Sequence, residues 1–89
     1  MSSLHNYRKA KEELHRQIAL AKETKARIRE TLSLLHNNYL NGLITESVYN
    51  SKVSEFLQGK PAEEWYTIYD NHIEECHFNI HKYNEKINE

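Results

Sequence analysis

Apolar residues recur through the first 40 positions with alternating spacings of three and four. The series is Leu4, Tyr7, Leu14, Ile18, Ala21, Ile28, Leu32, Leu35 and Tyr39, with Lys11 and Lys25 in the two remaining slots. An apolar seam held over five heptads constrains a chain more than any other local pattern, because only a long helix packed on another helix buries it. The spacing therefore predicts a first helix from about residue 3 to about residue 40. Either the stems of the two lysines lie along the seam with their ammonium groups in water, or that part of the seam is loosely covered.

The stop is equally clear. Asn41-Gly42 follows the last seam residue, and glycine readily takes the left-handed conformation that ends a helix. Thr45 is placed to cap a second helix, over about 45–58. Ile44 and Tyr49 have the spacing of a hydrophobic staple around that cap. Tyr49, Val53 and Phe56 or Leu57 give this helix one apolar face, and Gly59 ends it. Pro61 suits a first helical position, and Glu63 and Glu64 suit the positive end of the helix dipole. The third helix, about 61–88, carries the second seam: Ala62, Tyr66, Tyr69, Ile73, Cys76, Ile80, Tyr83 and Ile87.

The expected fold is thus all-α, one domain over 1–89, an elongated three-helix module of long, short and long helices. At ~1.5 Å per residue the helices span roughly 57, 21 and 42 Å. If the chain runs up, down and up, the short helix covers only part of the first. The third then overshoots the turn, and the start of the first hangs free. Apolar stripes left uncovered in this way favour a second chain. Hence the seam residues Leu4, Tyr7, Leu14, Ile18, Ile28, Leu32, Leu35, Tyr66, Tyr69, Ile73, Cys76, Ile80, Tyr83 and Ile87 are expected to serve an oligomer, a homodimer first, or a helical protein partner.

Residues 35–57 read LHNNYLNGLITESVYNSKVSEFL. The run Gly42-Leu43-Ile44-Thr45-Glu46, followed by Tyr49, Lys52 and Phe56-Leu57, resembles the SHOCT (short C-terminal) domain. That likeness covers about a quarter of the chain. It implies a small helical hairpin used in oligomerisation or interaction. The sequence departs from the family pattern at Val48, where a glutamate would complete a capping box, and in the heptad helix that follows the motif.

Charge is segregated. Residues 1–30 hold eight Lys and Arg against four Glu, whereas residues 31–89 hold four Lys against nine acids. On the first helix the column after every second seam residue reads Arg8, His15, Lys22, Arg29, His36. Charges at such flanking positions select the partner helix, and Glu63 and Asp70 stand at the equivalent flank of the third helix. A solvated face, charge-guided pairing between copies, and nucleic-acid binding through Arg8, Lys9, Arg16, Lys22, Arg27 and Arg29 are the readings of this column. Interleaved acids and a net charge of −1 weigh against the last.

There are six histidines. His77 and His81, like His72 and Cys76, have the i, i+4 spacing that can seat a metal, but the two pairs diverge around the helix. No cofactor or metal is expected, and surface histidine is the simpler reading. His15 and His36 would strengthen the basic column on protonation near pH 6. Cys76, a lone cysteine on the seam, reads as a small buried hydrophobe and excludes an internal disulfide, which fits a reducing, cytoplasmic setting. Trp65 at the seam edge and Phe78 on the outer face, near His81, are candidate partner contacts.

No glycine-rich phosphate loop, nucleophile beside a base or carboxylate pair occurs, and so a non-enzymatic chain is expected. No apolar run is long enough to span a bilayer. The functional expectation is an adaptor, scaffold or inhibitor, including a small phage-type inhibitor of a host protein. A nucleic-acid-binding bundle and a metal-responsive helical module are the alternatives.

Overall fold

The computed structural model describes residues 2–88. Three helices follow in order: α1 Ser2–Leu40, α2 Glu46–Phe56 and α3 Ala62–Asn88. Their bounds fall within two residues of those the sequence predicts. The molecule is a rod of 62 × 17 × 15 Å. No helix among the described residues is long and apolar enough to cross a membrane.

Two breaks of the same design shape the chain. After α1, the Leu43 amide donates to the Asn38 carbonyl at 2.9 Å and the Gly42 amide to the Tyr39 carbonyl at 3.0 Å, with Gly42 at φ +76°. This paired 6→1 and 5→2 bonding is a Schellman stop, which satisfies carbonyls that the helix end would otherwise orphan. After α2 the pattern repeats: Gly59 donates to Ser54 at 2.9 Å and Gln58 to Glu55 at 3.2 Å. Here a glutamine, at φ +54°, holds the left-handed position. Thr45 caps α2, its side chain accepting from the Val48 amide at 3.2 Å.

The up, down and up path does not hold. Tyr49 stacks on Tyr39 with ring centroids 5.3 Å apart, so α2 folds back along the end of α1. Farther down, Arg29 lies over Tyr66, Lys25 pairs with Asp70, and Tyr7 meets Tyr83 at 5.6 Å. As numbers fall along α1 they rise along α3, so α3 is antiparallel to α1 and continues in the direction of α2. The fold is a helical hairpin whose second arm is broken once. The 11 residues of α2 and 27 of α3 match the 39 of α1 to within one residue. Consequently no arm overshoots, and among the described residues no long stretch of seam is left uncovered.

The two seams close on each other within one chain. Ile18, Cys76 and Ile80 form a buried cluster, with Leu14 and Ile73 packed against it. Ala21, Ile28 and Leu57 are also buried, Leu57 at the end of α2. Tyr7, Leu32, Leu35, Tyr66, Tyr69, Tyr83 and Ile87 are half-buried, and Leu4 at the open end is 40% exposed. Lys25 resolves its polar conflict with a covered stem and an ammonium that pairs with Asp70. A two-layer rod has few positions covered on all sides, which explains why the core is so thin.

Candidate interaction surfaces

A hairpin of two antiparallel helices has two long flanks, each made by equivalent columns of both helices. On this chain the flanks differ in chemistry. Arg8, His15, Lys22, Arg29 and His36 are all exposed and stand along one of them, beside Glu63, Asp70 and His77 of α3. Neutralisation is uneven. Asp70 takes Lys25 of the seam, and the Arg29 guanidinium rests 4.9 Å from the centroid of Tyr66. Toward the open end, the α3 residues in the column are His77 and Asn84, so Arg8 and His15 face no acid from that column.

The opposite flank is almost free of charge. Its α1 column reads Ala10, Gln17, Thr24, Thr31, Asn38, every one half-buried, and its α3 column reads Trp65, His72, Asn79, Lys86. Where the second arm breaks, this flank opens into a cleft of about 200 Å³ between Thr24, Arg27 and Ile28 of α1, Phe56 to Gln58, and Trp65 and Tyr69 of α3. The break creates the cleft, because α2 ends at Phe56 and α3 starts only at Ala62. Trp65 closes its floor, donating from Nε1 to the Leu57 carbonyl at 2.8 Å, while the Lys60 ammonium lies 4.9 Å from the indole centroid. A second groove, of about 390 Å³, continues from Thr24 and Tyr69 to Gln17, Leu20, Ala21 and His72. Leu20, 54% exposed, and Phe56, 40% exposed, are apolar side chains left in water at its edges.

Charges that border this flank are held locally. Arg16 Nε donates to Glu13 at 2.9 Å, and Arg27 to Glu23 at 2.9 Å. Arg16 in turn holds the Glu13 carboxyl below its ordinary range.

Each residue singled out in the sequence has a place here. Trp65 belongs to the cleft as a half-buried wall. Phe78 is 61% exposed on the outer face of α3, with Lys82 5.2 Å from its ring centroid. His81 lies 3.0 Å from Glu85. Cys76 is 2% exposed, with its Sγ 3.8 Å from Nε2 of His72. Among the described residues no three His, Cys, Asp or Glu side chains converge where a metal could sit. The neutral flank itself escaped the sequence reading. Its signal was there: one heptad column of α1 with no charge, in a chain that is 28% charged.

No protein-family model, curated protein or solved structure matches the chain.

Proposed function

We propose that this chain is a non-enzymatic interaction module, a helical strut that docks its flanks on other protein chains as an adaptor, scaffold or inhibitor. The observation that carries the reading is the separation of a basic flank from a neutral, cleft-bearing flank on one rod. Each is long, and the neutral one combines an aromatic wall with exposed leucine and phenylalanine, the composition of an interface centre. The turn built by Gly42 and Thr45 uses the residues that resemble the SHOCT motif, a resemblance that implies a hairpin serving interaction. Because the seams are consumed inside the hairpin, docking falls to the flanks and not to the heptad positions.

Photo-crosslinking tests this. A photoreactive side chain replaces Leu20 on the neutral flank, or Lys22 on the basic flank, in cells of the protein's own source. A single protein, or a second copy, captured in high yield from one flank supports the reading. Absence of any saturable product from both flanks overturns it.

The exposed basic column favours one second reading, nucleic-acid binding. That reading requires binding of duplex or single-stranded probes that weakens steeply with salt. Unchanged probe mobility at low salt removes it.

A further inference from the structure

The accessible surface of the chain is 6681 Å². A compact monomer of 10.6 kDa exposes about 5,500 Å² by the usual scaling with mass. The excess, about 1,200 Å², exceeds the roughly 800 Å² per partner that a standard stable interface buries. A hairpin two helices thick thus leaves uncovered about as much surface as one stable contact removes.

Which flank is covered, and by what, follows from charge. A twofold dimer sets a surface patch against its own copy, so it needs a patch that does not repel itself. The basic column fails this test, because its α1 side presents Arg8, Lys22 and Arg29 while the acids beside it on α3 are Glu63 and Asp70, and Asp70 already holds Lys25. The neutral flank passes it. Its two columns hold a single formal charge, Lys86 at the far end of α3; at the cleft Lys60 lies over the Trp65 indole and Arg27 is paired with Glu23, and the bordering Arg16 is paired with Glu13. Its apolar residues lie along the direction that a second rod would follow: Leu20 and the small Ala21 and Thr24 in the groove, then Tyr69, Trp65 and Phe56 in the cleft. Small residues between large ones are what allow the ridge of one helix to settle into the groove of another.

We infer that the neutral flank is the contact face of a homodimer, in which a second copy lays its own Leu20 to Phe56 surface across this one to form a bundle four helices in cross-section. The inference rests on the interaction-module reading and names one occupant for one of its flanks. In the dimer Leu20 and Phe56 become buried, and the basic flanks of both copies face outward, free for another partner.

Sedimentation of the full chain under reducing conditions tests it, with Leu20→Glu on the neutral flank and Lys22→Glu on the basic flank. Both positions are exposed on α1, and circular dichroism of each variant checks its helicity. The expected result is a mass of twice 10.6 kDa for the wild type and for Lys22→Glu. Leu20→Glu should raise the dissociation constant at least about tenfold. Mixing Leu20→Glu with Leu20→Lys should restore part of the association. A wild type that stays monomeric up to millimolar concentration overturns the inference, as does a Leu20→Glu chain that dimerises like the wild type. If the photo-crosslinking captures only a different protein, the dimer fails while the interaction module stands. If it captures nothing, both fail.

Discussion

The indole Nε1 of Trp65 donates to the carbonyl oxygen of Leu57 at 2.8 Å, binding the first turn of α3 to the end of α2 across the break in the second arm. Leu57 is the C-cap of α2 and a buried core residue, and its carbonyl also accepts from the Lys60 amide at 3.1 Å, so the indole fills the second lone pair of an acceptor beside apolar side chains. This one bond joins two helices that otherwise meet only end to end. It also fixes the aromatic wall of the cleft.

Removing the donor while keeping an aromatic ring isolates that role. Trp65→Phe is expected to lower stability by about 1 kcal/mol, the net worth of one partly buried hydrogen bond. Urea denaturation followed by helical signal measures it. A loss no greater than that of a surface substitution would mean that water replaces the indole at no cost.

Gln58 occupies the left-handed position of the second Schellman stop, at φ +54°, where the first stop has Gly42. A side chain there carries a steric penalty of about 1 kcal/mol that glycine lacks, partly offset by glycine's larger unfolded-state entropy. Gln58→Gly is therefore expected to stabilise the chain by about 0.5 kcal/mol. Gly42→Ala, the converse change, should destabilise it by about 1 kcal/mol. Thermal melts of the two variants should move in opposite directions, and a shift in the same direction would contradict the backbone argument.

Ile80 is buried in the central cluster with Ile18 and Cys76, whereas Leu34 is 58% exposed on α1. Ile80→Ala should cost about 2–4 kcal/mol, by lost transfer energy and an unfilled cavity. Leu34→Ala should stay within about 0.5 kcal/mol. For so thin a core the first change can unfold the chain, and Ile80→Val, expected at about 1 kcal/mol, keeps the comparison measurable.

Burial pushes the Cys76 thiol pKa up from its ordinary 9.0, with a smaller contribution from the charge of Glu75. Native chain should therefore react with a thiol reagent far more slowly than chain in urea, since the thiolate is the reacting species. The sign for stability follows. Above the ordinary thiol value the unfolded chain loses its proton first and binds fewer protons than the folded chain. This thiol's share of stability is thus intact below that value and declines as pH rises through the raised one. Alkylation rates at several pH values, with and without urea, read both effects. Equal rates in the two conditions would place Cys76 at the surface.

Much of the architecture was legible in the residues. The spacing of Leu14, Ile18, Ala21 and Ile28, and of Ile73, Cys76 and Ile80, marked the buried faces, and the Gly42, Thr45 and Gly59 signals marked the ends. The direction of α3 was not legible. A glycine and a proline two residues apart read equally well as a reversal or as a break within one arm. Tyr7 against Tyr83, Lys25 with Asp70 and Arg29 over Tyr66 decide it. Comparing summed lengths would have favoured the break, because the second and third helices together equal the first. The neutral flank was missed for another reason. Gln17, Thr24 and Thr31 have no apolar signature, and it is the packing of α3 that sets Tyr69 and His72 beside Gln17 and Thr24.

Antiparallel arms joined at one end also set an order of events along the rod. Partners near the turn, such as Tyr39 and Tyr49, are close in sequence, whereas Tyr7 and Tyr83 at the open end are separated by nearly the whole chain. Closing the first pair restrains a short loop, and each later pair extends an existing ladder, so the entropic cost per step stays small. The hairpin is in this sense a zipper with its slider at Gly42. Opening starts where Leu4 is half in water and advances toward the cleft, and amide hydrogens should exchange fastest at the open end and slowest beside Ile18 and Ile28.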